Sequence, residues 1–425
     1  MVNLAIIGAG IGGSSAAYFA RKYLPNSKIT VYEMNKRVGG RTLTYHYGKN
    51  QIELGAAFFN SNNKIIFDLI KEIELKIKKV QESTDIAVWN GTEIIFKANQ
   101  PMFYNMLKLI ATYKLSTPKL LITLREAKEK IKKLYYEKPS EFWEIFENVG
   151  LDKWYKNRFD KILNELGIDK KFIDEIITPI IRIIYSQDAS IGGFAGLSSL
   201  LGVYGESLYS LREGNDILPM KLLEKSNSKI ELRNKVESIE KTSKDTFRLI
   251  TEDNNSIVDG VIIASPLETT NLRIDGISNK ESHSREYKKI YIKIIEGEID
   301  FRYFNLNESN ELPSIILTSN EADPITRFSI NKLRGNKTIV AITSKKQIKN
   351  NVLDEIFKKR KTLLDHVWSA AYPTFKPIER IPSTFLSQKL IYLNAIESAS
   401  SSLESSVFAA LNCMKVLKDQ LRTGS

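Results

Sequence analysis

Hydrophobic and polar positions over the first fifty residues follow a pattern typical of strand, turn, helix and strand. Residues 4–7 form a short apolar run, residues 12–23 have helical spacing, and residues 28–33 alternate between apolar and polar positions. Pro25 and Asn26 interrupt the helical spacing before the second strand. This order of elements predicts half of a doubly wound nucleotide-binding unit.

The later chain predicts a second domain of different character. Residues 63–172 are mostly helical in period, apart from one hairpin whose turn is the Asn90-Gly91 pair. Residues 287–343 alternate as in an antiparallel sheet. The other elements that the pattern predicts are a helix at 218–223, strands over 230–265 that end in a buried parallel strand, a helix over 352–370, a strand at 390–394 and a final helix over 404–421.

Net charge and its distribution limit the classes of partner. The formal net charge is +12, but lysine and arginine are scattered along the chain. No basic helix with interleaved aromatic residues is present, so we expect no nucleic-acid partner. Residues 114–138 hold eight basic and three acidic residues. A solvated helix face accounts for this local excess, and peripheral membrane contact through these basic helices is the alternative.

Cysteine and histidine are too few for several kinds of site. Cys413 is the single cysteine, which excludes an internal disulfide or a thiolate metal cluster. The three histidines, His46, His283 and His366, are not spaced to place two ligands on one helix face, so we expect no metal site. The first strand begins without a preceding secretory signal. We therefore expect a cytoplasmic protein, or a lysosomal or lumenal one if the chain is a processed form.

The turn after the first strand carries a dinucleotide fingerprint. Gly8, Gly10 and Gly13 are spaced as G-x-G-x-x-G between a strand and a helix. Glycines there permit a tight turn, a close approach of a pyrophosphate and close helix packing, and the helix N-terminus faces the phosphates. Glu33 lies at the end of the next strand, where a carboxylate can accept hydrogen bonds from ribose hydroxyls. The sequence therefore predicts dinucleotide binding.

A second glycine pair favours a flavin over a nicotinamide dinucleotide. Residues 37–41 read Arg-Val-Gly-Gly-Arg. The paired glycines let the backbone pass close under a second large group, and the arginines can meet phosphate charge. This segment resembles the RxGGR signature of the FAD-dependent amine oxidase superfamily, and residues 53–59, ELGAAFF, continue the resemblance. It implies that Gly55, Ala56 and Ala57 leave room for the isoalloxazine ring.

Later segments resemble the same superfamily. Residues 212–225 are similar to its helix before the adenine-contacting strand, which makes Val236 a candidate for backbone contacts to adenine. Residues 392–412 are similar to its closing flavin motif, with Glu397 placed for the ribityl hydroxyls and the helix near Glu404 directed at the flavin. The cofactor-binding residues expected from fingerprint and resemblance are Gly8, Gly10, Ile11, Gly12, Gly13, Glu33, Met34, Gly39, Gly40, Arg41, Gly55, Ala56, Ala57, Val236, Glu397 and Glu404.

The less generic segments narrow the resemblance to one branch. Residues 177–202, 293–305, 313–319 and 392–410 resemble, in this order, the prenylcysteine oxidase (prenylcysteine lyase) family, and the likeness covers nearly the whole chain. The resemblance implies FAD-dependent cleavage of a prenylated cysteine thioether with O2 as acceptor, giving cysteine, an isoprenoid aldehyde and hydrogen peroxide. We expect noncovalent FAD, because residues 386–398 contain no cysteine that could bond to the flavin.

The expected fold is α/β. A Rossmann-like FAD-binding domain with a doubly wound parallel sheet is joined to a discontinuous α+β substrate domain. The FAD-binding domain is expected to comprise residues 1–75, 191–270 and 379–425. The substrate domain is expected to comprise a mostly helical part, residues 76–190, and a sheet with a helix, residues 271–378.

Binding the isoprenoid requires an apolar tunnel, for which the helical block supplies apolar segments. We expect Tyr185 and Phe194 near the substrate pocket. A catalytic acid, base or nucleophile is not assigned, because the flavin N5 is expected to take the hydride and sulfur stabilises the resulting cation. The alternatives are another flavin amine oxidase, an isoprenoid or carotenoid desaturase, and a redox-silent FAD-binding scaffold.

Overall fold

The structure is a computed structural model, and its described residues are 1–80, 85–98, 102–203, 207–275, 284–332 and 338–423. His283 lies outside them. None of the described helices combines the length and apolar character needed to cross a membrane. The strands are β1 (Asn3–Ile7), β2 (Lys28–Glu33), β3 (Thr44–Tyr47), β4 (Asn50–Glu53), β5 (Phe59–Asn60), β6 (Ile77–Lys79), β7 (Ile86–Trp89), β8 (Ile94–Ala98), β9 (Leu208–Leu211), β10 (Lys229–Leu232), β11 (Val236–Lys241), β12 (Phe247–Thr251), β13 (Asn255–Val258), β14 (Gly260–Ile263), β15 (Arg273–Asp275), β16 (Tyr287–Ile299), β17 (Ile315–Thr318), β18 (Ile325–Lys332), β19 (Thr338–Ser344), β20 (Phe357–Pro373), β21 (Phe385–Ser387) and β22 (Leu390–Tyr392). The α-helices are α1 (Ile11–Tyr23), α2 (Lys64–Glu72), α3 (Met102–Tyr113), α4 (Ser116–Leu134), α5 (Phe142–Asn148), α6 (Asp152–Lys156), α7 (Phe159–Glu165), α8 (Lys170–Phe172), α9 (Thr178–Tyr185), α10 (Gly193–Val203), α11 (Ile217–Ser226), α12 (Leu267–Thr270), α13 (Asn350–Ile356) and α14 (Leu403–Thr423).

A six-stranded sheet in the order β10-β2-β1-β14-β22-β21 forms the nucleotide-binding half of the fold. Its neighbouring strands run parallel, except for the antiparallel pair of β21 and β22. Ala5 and Ile6 of β1 are fully buried, as expected of a parallel strand covered on both faces. α1 packs against α11 and α14. The predicted strand-helix-strand start and the predicted buried parallel strand, β14, are confirmed.

A seven-stranded sheet in the order β20-β16-β19-β18-β17-β7-β8 forms the second large layer. Its strands β16 to β19 contain the antiparallel pairs expected over residues 287–343. The predicted hairpin is β7 and β8, and Asn90 N–H donates to Glu93 O across its turn at 3.1 Å. β7 also pairs with β17 in parallel. The hairpin therefore belongs to this sheet, although helices surround it in the sequence.

The prediction of a helix over residues 352–370 is wrong for most of that range. α13 ends at Ile356, and Phe357 begins β20, a 17-residue strand at the edge of the large sheet. β20 pairs with β16 along nearly its whole length, with three register shifts. The local residues, Leu-Leu-Asp-His-Val-Trp-Ser-Ala-Ala, favour a helix, but pairing to a long buried partner strand outweighs that weak preference.

Helices between residues 102 and 203 cover the large sheet. α9 packs against β17 and β18, and its fully buried Arg182 joins the two layers by binding Asp323 Oδ1 at 2.7 Å and Ile325 O at 3.0 Å. α10 packs against α7, because a Cβ at Gly196 would lie 2.3 Å from the Phe159 ring and glycine removes that obstacle. The two large sheets and this helical layer enclose the candidate site.

Candidate active site

A cavity of about 510 Å³ lies among the two large sheets and the helices. Residues that line it come from the ends of β1 and β2, from the segment after β4, from four adjacent strands of the large sheet, and from α9, α10 and the start of α14. Every cofactor residue expected from the sequence lines this cavity except Gly13 and Gly39. The fold therefore gathers both ends of the chain around one space.

Gly13 lies behind the first turn rather than on the cavity wall. A Cβ at this position would lie 1.9 Å from Gly8 O, so glycine is required for α1 to follow β1 so closely. α1 has no side-chain cap and no acidic residue in its first turn. Its positive N-terminal end therefore faces the cavity, where an anion is favoured.

The two glycine turns contact each other directly. Gly39 N–H donates to Ala9 O at 2.8 Å, and a Cβ on Gly40 would lie 3.0 Å from Gly10 Cα. Among the described residues, a Cβ on Gly10 would come within 4 Å of just one non-neighbouring atom, Gly40 Cα at 3.7 Å. A side chain at residue 10 would therefore extend into the cavity and fill the cradle between the turns.

Glu33 is buried at the end of β2 and organises the turn beside it. Its Oε2 accepts a hydrogen bond from Ala9 N–H at 2.9 Å, and its Oε1 accepts from Asn35 N–H at 2.9 Å and Asn35 Nδ2 at 2.7 Å. A carboxylate has about four acceptor positions, so it can also accept from a ligand in the cavity that it lines.

The two arginines of the RxGGR segment have different contacts. Arg37 donates to the backbone carbonyls of Val38, Gly40 and Thr42 at 2.6 to 3.0 Å, so its side chain fixes the glycine turn. Arg41 lines the cavity, forms an ion pair with Glu397 and donates to Ala371 O at 3.1 Å. The described contacts of both arginines are with protein groups. The three Arg37 bonds to backbone carbonyls fix the conformation of the glycine turn.

Glu397, predicted to meet ribityl hydroxyls, is held by several donors at the cavity wall. Besides Arg41, it accepts from Tyr287 Oη at 2.8 Å and Asn394 Nδ2 at 3.1 Å. Burial acts to raise the pKa of this carboxyl, but the positive charges of Arg41 and Arg285 and the hydrogen bonds from Arg41 and Tyr287 outweigh it, and the pKa is lowered. Glu397 is therefore ionised at neutral pH, and its ribityl contact stays a prediction.

Glu404 has a structural partner that the sequence does not reveal. Its two carboxylate oxygens accept from the backbone N–H groups of Ile65 and Ile66 at 3.0 and 2.9 Å, at the start of α2. Burial raises the pKa of Glu404 to about 7. The side chain thus ties the start of α14 to α2, and a direct contact of Glu404 with a cofactor stays a prediction.

The small residues 55–57 are positioned by a residue that sequence reasoning missed. A Cβ on Gly55 would lie 1.9 Å from Arg41 O, which explains the glycine by packing. Asn215, almost completely buried, donates from Nδ2 to Ala56 O and Ala57 O, both at 2.9 Å. The nearby signal was the glycine-started helix of residues 212–225, but no local pattern marked Asn215 itself.

Another part of the cavity wall is lined by residues around Val236. Val236 is buried and begins β11, Met34 is half exposed, and both line the cavity. Asn234 Oδ1 and Ser265 Oγ beside them are buried with no hydrogen-bond partner within the described structure. Two unsatisfied polar atoms in one wall are expected where a polar ligand supplies the partners.

Apolar helix residues form another wall. Tyr185 and Phe194 both line the cavity, together with Ile183, Ile184 and Phe146. The rings of Phe194 and Phe146 contact each other edge-on, with their centroids 4.7 Å apart, and the Tyr185 hydroxyl donates to Ser401 O at 3.0 Å. α3 of the helical block contributes no described lining residue. This wall suits an extended apolar group.

A third part of the cavity wall comes from the large sheet, and its residues were not predicted. Ile290, Ile292, Arg327, Thr343 and Trp368 belong to four adjacent strands and line the cavity. Trp368 is fixed by its Nε1 bond to Leu54 O at 2.7 Å. The sequence could not group these residues, because pairing between strands far apart in the chain brings them together.

Comparison with protein families identifies the chain. A sequence profile of the prenylcysteine lyase family matches residues 96–424, and a profile of NAD(P)-binding Rossmann-like domains matches residues 6–73. The chain belongs to the prenylcysteine lyase family. This prenylcysteine lyase family member is 27% identical to the farnesylcysteine lyase of Arabidopsis thaliana, over 99% of this chain and 89% of that protein. It is 26% identical to prenylcysteine oxidase 1 of Bos taurus, over 96% of this chain and 87% of that protein.

The fold of this prenylcysteine lyase family member is also found in solved oxidase structures. A redesigned putrescine oxidase superimposes with a TM-score of 0.71 at 13% sequence identity, and the alignment covers 99% of both chains. At this identity the likeness concerns the fold alone. The predicted α/β fold with a Rossmann-like domain is confirmed by the parallel sheet and the Rossmann-like match.

Proposed function

We infer that this protein is an FAD-dependent oxidase that cleaves the thioether of prenylated cysteine, such as farnesyl- or geranylgeranyl-cysteine. The family match over residues 96–424 carries this inference. The cavity supports it, because glycine turns, charged groups and an apolar wall meet in one space.

The residues around the cavity fit FAD. The uncapped start of α1 and the cradle at Gly10 suit a pyrophosphate, and Glu33 suits a ribose. Unsatisfied Asn234 Oδ1 lies beside Val236, where adenine is expected. The small residues 55–57 leave room for a flat ring system beside Arg41.

When bound, FAD supplies an acceptor for the hydride that leaves the substrate carbon next to sulfur. Sulfur and the allylic double bond stabilise the positive charge that remains on this carbon. Water adds there, and loss of the cysteine thiol from the resulting hemithioacetal leaves an isoprenoid aldehyde. The protein then has to orient the thioether and shield the site, and the apolar wall from Phe146 to Phe194 provides that shielding.

Burial keeps the cavity hydroxyl at Tyr185 from acting as a base at neutral pH. Loss of solvation raises the pKa of Tyr185 to about 12. The hydroxyl donates to Ser401 O, which also fixes its orientation. This supports a reaction in which no described tyrosine of the apolar wall removes a proton.

We further propose that FAD is bound noncovalently and that O2 is the final acceptor, giving hydrogen peroxide. Purified protein is precipitated with acid, and FAD is expected in the supernatant. Farnesylcysteine should then yield farnesal, cysteine and peroxide in equal amounts, whereas putrescine should yield no peroxide. Absence of flavin, or peroxide from putrescine but not from farnesylcysteine, would overturn the proposed function.

We also propose peripheral membrane contact through residues 114–138. Leu115, Ile122 and Tyr136 have 69%, 60% and 74% of their surface exposed, and several lysines of α4 lie among them. Apolar side chains with basic neighbours favour an anionic lipid surface. The protein should float with vesicles that contain phosphatidylserine and not with phosphatidylcholine vesicles, and Ile122→Ser should weaken flotation. Equal recovery with both vesicle types would contradict the proposal.

A further inference from the structure

One cation in the cavity has no acidic partner in the part of the chain that the structure describes. Arg327 lies on β18 and lines the cavity. It donates to Thr343 Oγ1 at 3.2 Å, while its Nε is inaccessible to solvent and has no hydrogen-bond partner. Arg41, Arg182 and Arg285 differ from Arg327, since each of them pairs with a carboxylate.

An unpaired charge that is partly removed from water is costly for the fold. Burial lowers the pKa of Arg327, and the nearby Tyr372 hydroxyl opposes this effect only in part. Arginine nevertheless stays protonated in proteins, so the charge persists in the cavity. A guanidinium in this situation is compensated when an anionic ligand binds, and its planar fork matches a carboxylate.

The position of Arg327 in the sheet separates it from the phosphate turn. Arg327 pairs with Thr343 across β18 and β19, and Thr343 pairs with Ile292 across β19 and β16. These three residues therefore form one row across the large sheet, whereas the glycine turns follow β1 and β2 of the other sheet. Arg327 is the positive member of this row and Ile292 an apolar one, and the row continues to His366 on β20.

We propose that Arg327 binds the α-carboxylate of the prenylcysteine substrate, an assignment that rests on the proposed function. The amino-acid end then lies at the sheet, and the isoprenoid extends along the wall formed by Ile183, Ile184 and Phe194. Thr343 holds the guanidinium in place through its hydroxyl. Arg327 thereby selects free prenylcysteine over prenyl thioethers that lack a carboxylate.

The test compares two substrates in the flavin-loaded enzyme. S-farnesylcysteine carries the carboxylate, and S-farnesylcysteamine lacks it but keeps the amine and the thioether. Arg327→Met should lower kcat/KM for farnesylcysteine by about 100-fold, mainly through KM, as expected when charge-assisted hydrogen bonds are lost. For farnesylcysteamine the same variant should change kcat/KM by less than about 3-fold. For farnesylcysteine, kcat/KM of Arg327→Lys should lie between the values of Arg327→Met and the wild type.

Three further measurements make the result specific. Arg302→Met alters an exposed arginine paired with Asp300, and it should leave kcat/KM unchanged for both substrates. Arg327→Met should keep its FAD absorbance and should not lower the melting temperature, because an unpaired buried charge is replaced by an apolar side chain of similar length. Loss of FAD would assign Arg327 to the cofactor, and an equal loss of activity with both substrates would assign it a structural role. Either result overturns the proposal.

Failure of the proposed function gives a different result. If the wild type oxidises both compounds with equal kcat/KM, the role of Arg327 is refuted while thioether oxidation stands. If the wild type oxidises neither compound, the proposed function fails, and the assignment of Arg327 fails with it.

Discussion

Arg41 and Glu397, 356 positions apart in the sequence, form an ion pair in the wall of the cavity. The pair joins the RxGGR turn to the segment before α14, so it closes the site between the two ends of the chain. Glu397 is 3% exposed and Arg41 31% exposed, so solvent screens the pair only on the arginine side.

Breaking this pair should destabilise the protein. Glu397→Gln leaves Arg41 without its counter-charge, and we expect a loss of about 2 kcal/mol in unfolding free energy, below the ~3–5 kcal/mol of fully buried pairs because Arg41 is partly exposed. Urea unfolding at pH 7 measures the loss. Glu298→Gln, which breaks an exposed pair with Lys358, is the control and should cost only about 0–1 kcal/mol.

The effect of Glu397→Gln should depend on pH in a defined direction. The folded state lowers the pKa of Glu397, so its ionised form stabilises the fold above the pKa of the unfolded chain, and this stabilisation is lost as the pH falls through the folded value. The gap between variant and wild type should therefore narrow in acid. A gap that widens as the pH is lowered would contradict this role.

Gly10→Val should abolish FAD binding while the protein still folds. Within the described part of the chain, its Cβ would come within 4 Å of Gly40 Cα alone, at 3.7 Å, so the added side chain occupies the cavity rather than the core. The ratio of flavin to protein absorbance measures retention. Gly48→Asn, in an open turn between β3 and β4 at φ +58, is the control and should retain FAD. Stoichiometric FAD in Gly10→Val would refute the assigned cradle.

Glu404 should make stability fall as the pH rises from 4.5 to 7. Burial raises its folded pKa to about 7 from 4.5, so the folded state binds more protons than the unfolded state in this window. The contribution is at most about 1.4 kcal/mol per pH unit. Glu404→Gln removes it, so unfolding free energies at pH 5, 6 and 7 should have a less negative slope than in the wild type. The exposed Glu355→Gln controls for net charge, and an identical slope in Glu404→Gln would disprove the assignment.

Tyr185→Phe should retain catalysis. The hydroxyl donates to Ser401 O, and its pKa near 12 keeps it protonated at neutral pH. We expect kcat with farnesylcysteine to change by less than about 3-fold and the unfolding free energy to fall by about 1 kcal/mol, the usual value of one hydrogen bond. A 100-fold loss of kcat with intact FAD would instead make Tyr185 catalytic.

Much of the nucleotide-binding half could be predicted because its signals are local. Gly8, Gly10 and Gly13 are spaced within one turn, and Glu33 ends the next strand. Backbone geometry over so short a span leaves few alternatives, so glycine spacing and apolar periodicity predict the β1, α1, β2 unit. Another local signal, the two-residue turn Asn90-Gly91, correctly predicted the hairpin of β7 and β8.

Prediction from the sequence was less successful for residues whose hydrogen-bonding or strand-pairing partners are distant in the chain. Residues 357–373 have helix-forming composition, yet they form β20 because β16 pairs with them. Glu404 lines the cavity as expected, but the sequence did not show that its carboxylate also binds the start of α2, 338 positions away. A sequence pattern reports intrinsic preference, and long-range hydrogen bonds override preferences of less than about 1 kcal/mol per residue.

The sequence by itself determined the strand and helix order of the nucleotide-binding unit and the glycine turns, because these depend on backbone conformation within a few residues. Tertiary structure alone decided that Arg41 meets Glu397, that Asn215 holds residues 56 and 57, and that Arg327 lies in the cavity. The first two contacts join segments outside the strands that are far apart in the chain, so they depend on how these segments pack in the folded protein. Arg327 lies on β18, where a shift of one residue in strand register would turn its side chain to the other face of the sheet.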